Sequence, residues 1–377
     1  MMRKIIIYLF LSIILAGCQT TDHKSDAADQ EFVRLDTEGY LYYMDYTEDY
    51  YGEKVGNELK KITEFDTGCS TFFTYNFEGQ PLVCRNYDYP HRVSEEDRTL
   101  TGLNIILHCK PEGKYESIAV ADAIWCDTQN PLLSKGGPDM PGFTSDMVAI
   151  LPYQCMDGVN EKGLCVSILR VDIKEGEQGA RIPAGSSILL RYILDDCSTV
   201  EEAIEEIRTS SVKTSDWQSC HFFLADAQGN RAVAESRNGI LSIIESDVIT
   251  NFYLGSDDIA DAYRDGKLRE AAVMMTDSKG NSQYHFGYGH GYHRFVTIAA
   301  QVERFKDTQG EEERTVMSEE EALVILRSAV QNPHTNVSGV SMTQYSVIYN
   351  NALKTVTVWP FQNYKKSYSY DVTGGRK

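Results

Sequence analysis

The chain has 377 residues, 42 % of them hydrophobic, which is enough for a buried core and too apolar for general disorder. Its 36 basic and 55 acidic residues leave a formal charge of −19. That balance excludes a general affinity for nucleic acid or anionic headgroups, and says little about a small-molecule substrate.

Residues 1–18 read as a targeting segment. Arg3 and Lys4 precede an apolar run from Ile5 to Leu15, too short to span a bilayer. Leu15-Ala16-Gly17-Cys18 resembles a bacterial lipobox. Cys18 is then the lipidated residue of an exported lipoprotein, at the cell surface or in the periplasm, held to the membrane only by acyl chains. An ordinary secretory signal is the alternative. Residues 19 to about 30 are polar and suit a tether. Residues 31–68 carry Tyr40, Tyr42, Tyr43, Tyr46, Tyr50 and Tyr51 among many acids. A plain linker has no use for six tyrosines, so this stretch is expected to be a pro-segment packed on the body, near the mouth of the active site.

Gly68-Cys69-Ser70-Thr71-Phe72-Phe73 follows, then the turn residues Asn76-Phe77-Glu78-Gly79-Gln80, then a second strand with Cys84-Arg85-Asn86-Tyr87-Asp88. A hairpin centred between Glu78 and Gly79 puts Cys69 opposite Asp88 and Arg85 opposite Phe72. Arg85 and Asp88 are three apart, so a flat strand points them to opposite faces. Cleavage between Gly68 and Cys69 would give Cys69 a free α-amine beside its own thiol, a base for its own nucleophile.

Further hairpins are expected to join 148–151 to 164–169 around Asn160-Glu161-Lys162-Gly163, 221–225 to 232–235, and 344–349 to 355–359. Residues 127–146 read as a long surface loop. Helical spacing occurs at 187–194, 259–275 and 293–305, and Ser198/Glu201 and Ser318/Glu321 form capping-box patterns. No C-x-x-C occurs, which argues against a zinc ribbon, and Cys84 and Cys165 suit buried apolar positions. His285, His290 and His293 lack a supporting metal-ligand motif, and Gly287, Gly289 and Gly291 lack the strand and spacing of a dinucleotide loop.

Cys69, with Arg85 sixteen and Asp88 nineteen residues later, resembles the choloylglycine hydrolase (linear amide C–N hydrolase) family of N-terminal-nucleophile hydrolases. That family holds bile salt hydrolases and penicillin V acylases, and has a related acid ceramidase and N-acylethanolamine amidase branch. Asp157-Gly158-Val159-Asn160-Glu161-Lys162-Gly163-Leu164, Val248-Ile249-Thr250-Asn251, His293-Arg294-Phe295 and Met342-Thr343-Gln344-Tyr345-Ser346 are similar to later family segments, in the same order. The resemblance implies an α+β fold, the αββα four-layer sandwich with antiparallel sheets, over residues 69–377.

It also implies roles. Cys69 is the nucleophile, Asp88 orients its α-amine, Arg85 favours the thiolate and Asn251 donates to the oxyanion. Arg294 binds a substrate carboxylate or steadies the network. Asn160 contributes to substrate binding or simply forms a turn. Arg170 stands where bile salt hydrolases carry a second active-site Asn, which puts bile salt specificity in doubt. The activity implied is hydrolysis of a linear amide, after self-cleavage at Gly68–Cys69, into an acyl acid and a small amine or amino acid. No cofactor or metal is implied. Bile salt hydrolysis proper, acyl transfer and non-catalytic binding stay as alternatives, and homo-oligomerisation stays open.

Overall fold

The computed structural model describes residues 32–36, 41–51, 64–65, 68–90, 104–123, 148–171, 182–210, 220–237, 240–256, 290–307, 314–331 and 341–376. Cys18 and the lipobox, the 127–146 loop, the 259–275 helix and His285 lie outside them. In chain order the strands are β1 (Val33–Arg34), β2 (Leu41–Tyr46), β3 (Glu64–Phe65), β4 (Gly68–Tyr75), β5 (Pro81–Pro90), β6 (Asn104–Cys109), β7 (Ser117–Asp122), β8 (Cys155–Asn160), β9 (Cys165–Arg170), β10 (Ile182–Pro183), β11 (Cys220–Ala225), β12 (Arg231–Arg237), β13 (Ile240–Ile244), β14 (Val248–Ile249), β15 (Lys306–Asp307), β16 (Arg314–Thr315), β17 (Ser341–Asn350), β18 (Thr355–Pro360), β19 (Tyr368–Asp371) and β20 (Gly375–Arg376). The helices are α1 (Ala184–Asp196), α2 (Val200–Thr209), α3 (His290–Val302) and α4 (Glu319–Ser328).

Three of the hairpins share one turn chemistry. Asn76, Asn160 and Asp226 each accept backbone N–H bonds from residues two and four further on, and each is followed three residues later by a glycine at positive φ. The pattern Asn/Asp-x-x-Gly therefore closes a five-residue loop. A loop of odd length centres on a residue, not between two. The β4–β5 ladder accordingly pairs Tyr75 with Pro81, Cys69 with Tyr87 and Thr71 with Arg85. This corrects the expected register by one residue. The correction moves Arg85 onto the same face as Cys69, because a slip of one exchanges the two faces of a strand.

The larger sheet runs β1-β2-β6-β7-β8-β9-β11-β12-β13, and the smaller runs β14-β4-β5-β17-β18-β19-β20. All their ladders are antiparallel except β2 with β6. The sheets face one another. Asp157 on β8 meets Arg85 on β5 and the hydroxyls of Tyr345 and Tyr349 on β17. Helix α1 covers the outer face of the larger sheet, where a Cβ on Gly158 would strike Leu194 at 2.9 Å. Helices α3 and α4 cover the smaller sheet, and Asn86 donates to the Leu326 carbonyl of α4 at 2.8 Å. The result is the αββα sandwich. Its central strands are covered on both faces, so all eight residues of β4 are buried and period-two alternation disappears.

Three local expectations shift. Residues 148–151 do not form a strand: a short 3-10 turn spans Leu151–Gln154, with Pro152 within its first two positions, and the hairpin partner of β9 begins at Cys155. The cap of α2 is Thr199, which accepts from the Glu202 backbone, while Ser198 bonds the Glu202 side chain. The Ser318/Glu321 capping box is present at α4 as expected. Lastly, the tyrosine-rich stretch is more than a covering segment. β2 is a strand of the larger sheet, and Leu41, Tyr42, Met44, Tyr46 and Tyr50 are buried. The folded body thus begins well before Cys69.

Candidate active site

Cys69 is the second residue of β4 and fully buried. The β4–β5 register directs its side chain between the sheets, beside that of Arg85. Arg85 donates from Nη2 to Cys69 Sγ at 3.1 Å and to the Ile168 carbonyl at 2.7 Å. Its Nε lies 2.7 Å from Asp157 Oδ2. Burial pulls the guanidinium down, but the negative charges of Cys69 and Asp157 outweigh this and hold it above its ordinary value. Burial pushes the Asp157 carboxyl up, opposed by Arg85 and the two phenols that donate to it. Those phenols, Tyr345 and Tyr349, are themselves held well above the usual range, first by burial and then by Asp157, so they stay protonated donors.

A second set of groups grips the backbone of residue 69. Val248 and Ile249 pair with Phe72 and Thr71, so the chain leaving β14 brings Asn251 level with Cys69. Asn251 Oδ1 accepts the Cys69 N–H at 3.0 Å, and its Nδ2 donates to the Arg170 carbonyl at 2.6 Å. Phe295 of α3 packs edge-on against Phe252, which places the neighbouring Arg294. Arg294 donates to Asn251 Oδ1 and to the Cys69 carbonyl, each at 2.5 Å, and lies 3.3 Å from Asp88 Oδ2.

Asp88 points to the helix-covered face of β5, as its spacing from Arg85 requires. It accepts from Thr343 at 2.6 Å and from Gln331 at 3.0 Å. The irregularity in this ladder lies across the pair, in β17 between Thr343 and Tyr345. Burial pushes the Asp88 carboxyl up, while Arg294, Thr343 and Gln331 pull it down less strongly. Residue 69 is therefore served from two sides: Arg85 at the sulfur, and Asn251 and Arg294 at the main chain, with Asp88 beside Arg294.

Two of the expected residues stand apart. Asn160 is buried at the far end of β8, where it accepts from Lys162 and Leu164 and donates to the carbonyls of Leu194, in the last turn of α1, and Cys197, just past it. Those bonds make it a turn and helix cap. Arg170 ends β9 opposite Cys220, whose thiol bonds Ser186 of α1. Alternation thus starts the Arg170 side chain on the α1 face, and its carbonyl accepts from Asn251.

Asp157, Gln331 and Thr343 hold Arg85 and Asp88, and sequence reasoning gave them no role. Asp157 and Thr343 do lie in two of the motif segments noted above. Among the described residues no His, Cys, Asp and Glu side chains gather into a group that could hold a metal ion.

Residues 76–314 match the family model described as acyl-coenzyme A:6-aminopenicillanic acid acyl-transferase, more than half of the chain. The chain belongs to this family. The match begins shortly after Cys69 and takes in Arg85, Asp88, Asn251 and Arg294. By that membership the chain is an enzyme of the acyl-transfer kind. Among solved structures, penicillin V acylase from Agrobacterium tumefaciens is similar at 17 % identity, TM-score 0.46, covering 81 % of this chain and 86 % of that one. A variant of conjugated bile acid hydrolase from Clostridium perfringens is similar at 16 % identity, TM-score 0.49, covering 81 % and 93 %. No curated protein matched the sequence.

Proposed function

We propose that this enzyme is a self-processing cysteine amidase. Its Cys69 Sγ attacks the Gly68 carbonyl, the nitrogen of residue 69 leaves as an amine, and water releases the upstream piece. The new α-amine then takes the thiol proton, Sγ attacks a substrate amide to form a thioester, and the same amine protonates the leaving amine. Water completes hydrolysis. An α-amine titrates near pH 8 and is a usable base at neutral pH. Arg85, 3.1 Å from the sulfur, favours the thiolate. Asn251 stabilises the oxyanion, and Asp88 with Arg294 orients the amine. The observation that carries this reading is that Arg85 holds the Cys69 sulfur while Asn251 and Arg294 hold its N–H and carbonyl.

The substrate class is a linear amide of an acyl group and a small amine or amino acid. The test is a panel of penicillin V, a glycine-conjugated bile acid and an N-acylethanolamine, quenched early and read by mass spectrometry. The expected result is an acyl adduct on Cys69 that decays with product formation. Turnover without any such adduct, unaffected by alkylation of Cys69, would reject the mechanism. Asn251→Ala is expected to lower kcat about a hundred- to a thousandfold, the cost of one lost oxyanion donor. A change below threefold would remove Asn251 from that role. Acyl transfer is the second reading, favoured by the family description; adding amines during turnover would divert product from acid to new amide.

We further propose that the upstream piece stays in place after cleavage. β2 is hydrogen-bonded in register along β6 from Leu41↔Asn104 to Tyr46↔Cys109. Buried Leu41 and Met44 alone contribute about 1.5–3 kcal/mol each. Tyr50 and Tyr51 also donate to Asp195 of α1. If Cys18 carries lipid, the catalytic piece then remains on the membrane anchor. Both fragments are expected to co-elute in native gel filtration and separate only in denaturant. Loss of the small fragment under native conditions would contradict this.

A further inference from the structure

Beyond Asn251 the chain has little ladder to hold it. β14 is two residues long, and after it residues 251–252 form a bend and Leu254–Ser256 a short 3-10 turn. Besides the bonds its own amide makes to Cys69, Arg170 and Arg294, Asn251 is held by side-chain clamps on the chain either side of it. On one side Thr250 Oγ1 donates to the Gly291 carbonyl of α3 at 2.8 Å. On the other stands Glu235, on β12 and 4 % exposed. Its Oε2 accepts the Leu254 N–H at 3.0 Å and its Oε1 accepts the Gly255 N–H at 2.9 Å. A carboxylate bonded to two consecutive backbone N–H groups fixes a short segment in both position and orientation. A Cβ on Gly255 would come within 2.8 Å of Glu235 Oε1, so a residue without a side chain lets the carboxylate close in. His221 on β11 lies beside it, Nε2 3.2 Å from Oε2. Burial pulls that imidazole down to about 3, so it faces the carboxylate as a neutral ring. Phe252 is buried between the two clamps, and the Leu254 side chain is buried at the second.

We infer that Glu235 is a positioning residue for the oxyanion donor: it locks the 254–255 backbone and thereby aims the Asn251 amide at residue 69. The inference rests on the reading of Cys69 as nucleophile and Asn251 as donor. Displacements of about 1 Å at such a group cost on the order of a hundredfold. Glu235 thus governs rate without touching the reacting atoms.

The test is a double-mutant cycle between Glu235→Ala and Asn251→Ala, on whichever amide of the panel above is turned over fastest, with melting temperature recorded for each variant. Glu235→Ala is expected to lower kcat about ten- to a hundredfold with KM within about twofold. In the Asn251→Ala background it should cost less than about twofold more, because the group being aimed is already gone. Glu235→Gln keeps one acceptor oxygen and should retain intermediate activity. It replaces the Ala variant in the cycle if that variant does not fold. Gly255→Ala should reproduce the kcat loss by pushing the carboxylate away. Cys69-dependent turnover with losses that multiply would overturn this inference alone. Absence of any Cys69-dependent turnover would overturn the reading beneath it, and this inference with it.

Discussion

Cys69→Ala is expected to leave a single uncut chain with turnover reduced by about 10⁴-fold or more, the scale of removing a covalent nucleophile. Two functions fail together because one residue supplies both. Without Sγ nothing attacks the Gly68 carbonyl, so no α-amine forms, and without the α-amine no base serves the site. The fold itself should tolerate the change. Cys69 is buried, but its loss removes one sulfur, and the hydrogen bonds of its backbone to Asn251 and Arg294 do not depend on the side chain. A cost of about 1 kcal/mol, a few degrees in melting temperature, is the expected scale. Cys69→Ser separates the two functions, since a hydroxyl attacks more slowly than a thiolate at neutral pH. Slow cleavage with little turnover is its expected outcome, read by gel and by product release over hours.

Asp157→Ala is expected to cost about 3–5 kcal/mol of stability as well as activity, because it strands the buried Arg85 cation. The partners are both fully buried, and the Asp157 carboxylate also accepts from Tyr345 and Tyr349 across the inter-sheet space. Removing it breaks a buried polar tie between β8 and the β5–β17 pair. The paired change Arg85→Met with Asp157→Leu should recover much of that stability, since two apolar groups of similar size need no compensation. It should not recover activity, because the cation beside Sγ is gone. Urea unfolding and turnover on the same preparations check both halves. Single and double variants of equal stability would show that Arg85 does not depend on Asp157.

The parts of this architecture legible in the sequence are those written in local chemistry. Asn76, Asn160 and Asp226, each with a glycine three residues on, announce their hairpins, and Ser318 with Glu321 announces α4. Cys69 and Arg85 meet because the hairpin between them is local. Their shared face was lost by one residue, because the five-residue loop centres on Glu78 and spacing alone does not fix loop length. Long-range placements left weaker marks. β2 joins β6 in parallel from some sixty residues away, and parallel partners share no turn that could signal the pairing. Asp157 reads as part of a turn-proximal motif, yet its carboxylate faces the opposite sheet, which only packing decides. Arg170 sits at a motif position, but its place opposite Cys220 on the α1 face of β9 follows from strand register, which a motif match does not carry.

Intact-mass analysis of the purified protein, with N-terminal sequencing of each species, tests the central claim most directly. The account predicts two fragments, one ending at Gly68 and one whose first residue is Cys69, and a single full-length species for Cys69→Ala. A wild-type chain that is active yet intact across the Gly68–Cys69 bond would contradict it.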